Sequence, residues 1–275
     1  MADPRAALRV TSQDDLNYRD YLGLEELLAL QRPVSDDPGE LHFIVVHQTI
    51  ELMFKLVIED VRRLSGLLDD DRWSAAIPVV RRLNRTTGLA LAQMRSLHDL
   101  PATSFHEFRG YLGTASGAQS TQFREIEVLS GLRDPGYLAV QRRIGGGRLP
   151  APIVRALKER DLASAHCAAA RRLGVTDWAA FYRDVGDSSL CYIVSEWLLD
   201  YDDLWLRWRN EHVALVERML GSRIRGTGGT DPLSFLGRTR EYRFFPHLWE
   251  MRGDLASEAG GDLMDRGPEN SCPYK

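Results

Sequence analysis

Two histidines fall where histidines are uncommon. His47 lies in LHFIVVHQTIELMF, in which Phe43, His47, Ile50, Phe54, Val57 and Val61 recur at helical spacing while Glu51, Lys55 and Glu59 fall off the stripe. His212 shares a helical face with Trp205, Trp208, Leu215 and Met219. Taken alone, each is most simply a core histidine whose ring nitrogens are satisfied by nearby backbone. Together, bedded in Phe, Trp, Leu and Met, they suit a flat apolar cofactor with a metal at its centre, and haem is the natural candidate. Its iron takes a neutral imidazole, and the polarity of the opposite face decides what happens to oxygen. Zinc suits the sequence less well, with no HExxH and no paired His/Cys cluster, and a serine hydrolase lacks its GxSxG. CxxCH is absent, so such a haem would be held non-covalently.

Other residues could complete such a site. Phe105, Arg109 and Leu112 share a face, which sets a guanidinium on an apolar stripe. An arginine so placed usually snorkels to solvent or pairs with a carboxylate; the sharper reading is a planar fork aimed at an anionic ligand. GTASGAQS is a run of small residues that reads as a solvated loop or as backbone brought close to something bulky. Tyr18 and Tyr21, three apart with Leu22 beside them, read as a packing face before they read as a ligand wall.

The elements that must position these residues are helical. The pattern runs from about Glu40 to Leu68, from Trp73 to Leu97 with Pro78 expected to kink its first turns, and from Cys191 to Gly221. Shorter helices are expected at Leu24 to Gln31, after Pro101, through TQFREIEVLSGL, from about Ile153 to Leu162, through DLASAHCAAARRLG and VTDWAAFYRDVG, and from Pro246. Asp14 and Asp15 are candidate caps for the segment holding the tyrosines. GYLAVQRRIGGGRLPAP reads as a connection or insert, without the pattern of a phosphate loop. Strand signals are scarce, so the fold class is all-α: one domain over 1–260 with an N-terminal arm, 1–23, and a polar tail, 261–275, expected to be poorly ordered.

With 275 residues, 44% apolar and 27% charged, the chain can bury a large core. A net charge of -4 with interleaved signs gives no basic face for nucleic acid. Cys167, Cys191 and Cys272 form no CxxC and no even-numbered framework, so reduced thiols are expected. No signal-peptide run opens the sequence and no uncharged apolar stretch is long enough for a bilayer, from which a cytoplasmic protein is expected.

Several segments, in order along nearly the whole chain, resemble the tryptophan 2,3-dioxygenase family. They are YRDYLGLEELL from Tyr18, HFIVVHQTIELMFK from His42, FRGYLGTASGAQSTQFREIE from Phe108, HVALVERMLGSR from His212, GTGG from Gly226 and RFFPHLWEMR from Arg243. The resemblance implies a haem b per subunit, ferrous when active, with His212 as proximal iron ligand and His47 as the distal residue facing the substrate indole N–H. It implies that Arg109 clamps the amino-acid carboxylate, that Phe43 and Phe105 wall the indole, that Ser116 lies near haem and substrate, and that Thr227 contacts the substrate's ammonium or carboxylate. Tyr18, Tyr21 and Leu22 match residues that complete the neighbouring subunit's pocket in a homotetramer. The implied reaction inserts both atoms of O2 into the indole C2–C3 bond of L-tryptophan to give N-formylkynurenine.

The chain departs from the family where GTGG is followed by TDPLSFLGRT instead of a Ser-Ser-Gly-Tyr run, and one extra residue precedes that loop. Asp231 and Pro232 therefore leave open a monooxygenase acting on a substituted, for example methylated, tryptophan or indole in a secondary-metabolite pathway. A non-catalytic haem and tryptophan sensor is a further alternative, against which Arg109 with Thr227 stands, since a gas sensor needs no amino-acid clamp.

Overall fold

Twelve α-helices and no strand occur among the described residues, 17–113, 119–133, 135–184, 189–221 and 237–259, of the computed structural model. Helix α1 (Tyr18–Leu22) is capped by Asn17, whose side chain accepts from the N–H groups of Arg19 and Asp20. The expected caps Asp14 and Asp15 lie outside the described residues. Gly23, at φ 58°, ends α1 and opens α2 (Leu24–Leu28), which stops short of Gln31. Neither helix buries a residue, and Tyr18 and Tyr21 are 73% and 67% exposed. The tyrosines are thus not a packing face within this chain.

Helix α3 (Pro38–Asp69) begins two residues before Glu40, because Asp37 accepts the Gly39 N–H at 2.8 Å and Pro38 supplies a first-turn φ without needing a hydrogen bond. Glu40 turns back to the preceding loop, accepting from the Val34 N–H (2.9 Å), the Ser35 N–H (2.7 Å) and the Ser35 hydroxyl (2.6 Å). Helix α4 (Trp73–Ser96) returns along α3 and runs unbroken through Pro78, which sits in its second turn. Next come α5 (Ala102–Arg109), α6 (Thr121–Ser130), α7 (Pro135–Ile144), α8 (Ala151–Ala156), α9 (Leu162–Arg172), α10 (Trp178–Asp184), α11 (Leu190–Leu220) and α12 (Pro246–Ala259).

The segment expected to be a plain connection is half helix. Tyr137 and Gln141 bury one face of α7, and the glycines after it cap its end. The Gly147 N–H reaches Arg142 O at 2.8 Å and the Gly146 N–H reaches Arg143 O at 3.3 Å, with both residues at positive φ. Only glycine adopts that left-handed run without strain. The helical stretch expected near Ile153 to Leu162 ends at Ala156, and Asp161 starts α9 afresh by accepting from the Ser164 N–H at 2.8 Å. Cys191 is a free thiol, but Cys167 is disulfide-bonded, which corrects the expectation of reduced thiols throughout. Cys272 and the tail 261–275 lie outside the described residues.

Helices α3, α4 and α11 form the centre, with α6 and α9 laid against α3. Val57, Val61, Leu64 and Leu68 of α3, Val80 and Leu83 of α4 and Val194, Leu198 and Trp205 of α11 are all fully buried in one core. Each such aliphatic side chain contributes about 1.5–3 kcal/mol. Helix α3 is long and apolar enough to cross a bilayer by composition. Its apolar residues divide between two opposite sides. The Phe43-to-Val61 stripe faces the interior, whereas Leu41, Val45, Leu52 and Leu56 form an exposed stripe on the far side.

Candidate active site

At their outer ends α3 and α11 hold His47 and His212, and the side chains below close a floor between them. Phe54, seven residues after His47, packs edge-on against Trp208, four residues before His212, with ring centroids 5.4 Å apart. Phe123 of α6 completes the layer, stacked on Trp208 at 6.2 Å and set against Phe54 at 5.8 Å. Periodicity makes this possible, since residues one and two turns along each helix keep the same face. Phe43 lies tilted against His47 at 4.0 Å and meets Phe105 at 5.9 Å and Phe108 at 5.3 Å, which makes an aromatic wall where α3 meets α5.

The protonation of His47 is set by its own helix. Its Nδ1 lies 2.7 Å from the Phe43 carbonyl oxygen, which can only accept, so Nδ1 carries the proton and Nε2 presents a lone pair. Burial holds its pKa below the ordinary histidine value, against the opposing pull of that carbonyl and of Glu51, so the ring is neutral at pH 7. Burial likewise pushes His212 down to about 4, and positive charge on Arg124 and on His47 would push it the same way. His47 and His212 therefore lie within electrostatic reach of one another across the aromatic floor. His212 has no hydrogen-bond partner among the described residues and is only partly buried. A neutral imidazole with an uncommitted lone pair, on the helix that carries the aromatic layer, suits a haem iron and would hold it.

A buried ionic network holds His212 in place. Glu127, fully buried, accepts from Arg124 Nη1 (2.7 Å) and Tyr137 hydroxyl (2.7 Å) and pairs with Arg209 Nη2 (3.4 Å). Arg209 precedes His212 by one helical turn and donates to the Tyr242 carbonyl at 3.0 Å. The Arg124 guanidinium lies 4.7 Å over the Phe123 ring of the floor. Arg109, at the last turn of α5, is partly buried and makes no ion pair or hydrogen bond among the described residues. One turn away His106 donates from Nε2 to the Met219 carbonyl at 3.1 Å, which pins α5 to the end of α11 that bears His212.

The family model described as tryptophan 2,3-dioxygenase matches residues 3–143 and 163–255. The chain belongs to the tryptophan 2,3-dioxygenase family. It is 34% identical over 263 residues to tryptophan 2,3-dioxygenase of Caulobacter vibrioides, covering 88% of this chain and 99% of that one. It is 36% identical over 259 residues to that of a Nocardioides species (87% and 95%) and 33% identical over 261 residues to that of Cupriavidus necator (88% of each). The unmatched residues 144–162 hold the glycine cap and α8, between the two stretches that match the tryptophan 2,3-dioxygenase pattern.

Of the residues expected at a tryptophan 2,3-dioxygenase site, the structure gathers Phe43, His47 and Phe105 around one wall, with Arg109 on the same helix as Phe105 and His212 opposite. Ser116 and Thr227 lie outside the described residues. Tyr18, Tyr21 and Leu22 stand exposed and take no part in this chain's own site. Sequence reading missed Phe108, fully buried against Phe43, and Phe123. Phe108 falls off the stripe of Phe105, Arg109 and Leu112, so amphipathic spacing alone did not single it out.

Proposed function

We propose that the protein is a haem-dependent oxygenase that inserts both atoms of O2 into the indole C2–C3 bond of L-tryptophan, giving N-formylkynurenine. The observation that carries the reading is a pair of neutral histidines within electrostatic reach of one another, on two helices joined by the packing of Phe54 against Trp208, in a chain of this family. Ferrous haem, when bound, would supply the activation of O2.

The protein's own contributions are binding, orientation and exclusion of water. His212 would hold the haem iron through its neutral imidazole, kept deprotonated by burial and by the Arg124 charge. His47 Nε2, bare because Nδ1–H is committed to Phe43 O, would accept the indole N–H and so set which edge of the ring faces the oxygen. Phe43, Phe105 and Phe108 would flank the indole. Arg109, with no other partner among the described residues, would take the substrate carboxylate through two parallel hydrogen bonds, which a lysine cannot reproduce. Ser116 and Thr227 join this assignment on the family resemblance alone.

We also assign the working form as a homotetramer in which Tyr18, Tyr21 and Leu22 reach a neighbouring subunit. Two features support it: a capped helix that buries none of its own residues, and an apolar stripe on the outer side of α3. The function is tested by reconstituting the protein with haem, reducing it, supplying L-tryptophan with isotopically labelled O2 and weighing the product. Two labels in a ring-opened product are expected. One label, or turnover only with a substituted tryptophan, would replace the reading with the monooxygenase, and tryptophan binding without oxygen uptake would replace it with a sensor.

A further inference from the structure

Away from His47 and His212, α9, α11 and the start of α12 enclose a second set of donor atoms. One ring nitrogen each from His166 and His247 and the sulfur of Cys167 lie within 4.8 Å of one another, all in buried residues. Cys167 Sγ is 3.7 Å from His247 Nε2. The enclosure is aromatic: Trp178 stacks on His166 at 5.1 Å and tilts against His247 at 5.1 Å, and Phe245 stands edge-on to His166 at 6.1 Å.

A chain of hydrogen bonds decides which way His166 presents its lone pair. Ser195 Oγ lies 2.8 Å from the Cys191 carbonyl, which can only accept, so the hydroxyl proton is spent there. The 2.8 Å contact between Ser195 Oγ and His166 Nε2 must then have the histidine as donor. His166 is therefore the Nε2–H tautomer, and its Nδ1 is a bare acceptor. That Nδ1 is fully buried and has no hydrogen-bond partner among the described residues. An acceptor left so costs about 1–3 kcal/mol unless something electropositive meets it. A histidine whose far nitrogen is held by a hydrogen bond is the arrangement that orients metal ligands.

We propose that His166 Nδ1, the His247 ring and the Cys167 thiolate form a binding site for one cuprous ion in the reduced protein. Metal bonds of ~2.0 Å to nitrogen and ~2.3 Å to sulfur set three donors roughly 3.5–4 Å apart, and the Cys167–His247 pair already has that spacing at 3.7 Å. Thiolate and imidazole select cuprous copper or zinc among biological metals. Charge separates the two. Cu+ with one thiolate and two neutral imidazoles is neutral, whereas Zn2+ would leave a positive charge in an apolar enclosure whose nearest charged influence on His247 is Arg171.

The Cys167 sulfur is disulfide-bonded in this structure, so metal and disulfide exclude one another. A phosphine reductant with one water converts the disulfide to two thiols and a phosphine oxide. Binding of Cu+ then forms the sulfur–copper bond and releases the Cys167 thiol proton to solvent. The site is thus open or closed according to the redox state of one bond.

The test uses the haem-loaded full chain, kept free of air and incubated, with and without a phosphine, with cuprous ion buffered by a chromophoric chelator. After desalting, copper per chain is measured by mass spectrometry. Near one copper per chain is expected after reduction and at most about a tenth without it. Cys167→Ser and His247→Gln should fall to about a tenth, while Cys191→Ser and Cys272→Ser retain copper. Copper-edge X-ray absorption on the wild type should show two nitrogens and one sulfur, a readout that needs no variant to fold. No copper after reduction, equal copper without reduction, copper kept in a folded Cys167→Ser, or zinc bound in preference to copper would each overturn the proposal.

Discussion

His47 bonds back to the Phe43 carbonyl four residues earlier, so the nitrogen proposed to face the substrate is specified by a contact one helical turn long. In the proposed role, removing the ring removes one hydrogen bond to the indole. His47→Ala should keep its haem spectrum and lose about 10- to 30-fold in kcat/KM, corresponding to roughly 1.5–2 kcal/mol. His212→Ala should lose the haem or its normal spectrum, and equal haem loss in the two variants would refute this division of roles. The acceptor form of His47 exists above its folded pKa, which burial sets below 6.5. Activity should stay flat as pH falls through 6.5 and decline only below it, so an acid limb at or above 6.5 in a kcat/KM profile would contradict the assignment.

The helices carry these residues through a few buried anchors. Asp202 of α11 is fully buried, and its Oδ2 accepts from the N–H groups of Phe244 (2.9 Å) and Phe245 (3.1 Å) and from Trp249 Nε1 (3.1 Å). It thereby ties the helix bearing His212 to the start of α12. Asp202→Ala would orphan three donors at a cost of about 3–5 kcal/mol. A thermal midpoint lower by about 10 °C is expected, and a change under 2 °C would argue against the anchor.

At the other end, Glu40 fixes the approach to α3. Burial alone would raise its pKa, but hydrogen bonds from Ser35 and Val34 outweigh that and bring it below 4.5. A carboxylate depressed in the folded state stabilises above its unfolded pKa, and the contribution is lost as pH falls through the folded one. Wild type should therefore exceed Glu40→Gln in urea stability by an amount that is constant from pH 7 to about 5 and shrinks below 4.5.

For the whole molecule, the two-sided apolarity of α3 sets the main expectation. One stripe builds the core and carries His47, while the other, through Leu41, Val45, Leu52 and Leu56, is left uncovered by the described residues. In the proposed homotetramer that stripe and the N-terminal arm find their partners in other copies. Light scattering should give a mass near four times 31.1 kDa for the wild type, and a smaller assembly for the double change Leu52→Glu, Leu56→Glu. A wild-type mass of one chain would remove the basis for this arrangement.

What local spacing could settle, the sequence settled. A 3.6-residue repeat of apolar side chains places α3, α4 and α11 to within two residues of where they form, and it sets His47 and His212 on apolar faces. The same repeat says only that a face is apolar, not what covers it, so packing alone decided that Phe54, Phe123 and Trp208 form one aromatic layer between the helices that bear the two histidines. Packing likewise left Tyr18 and Tyr21 exposed and buried Phe108 in the aromatic wall. It also gathered His166, Cys167 and His247 from helices eighty residues apart. Such groupings depend on contacts distant in sequence, which no window of neighbouring residues contains.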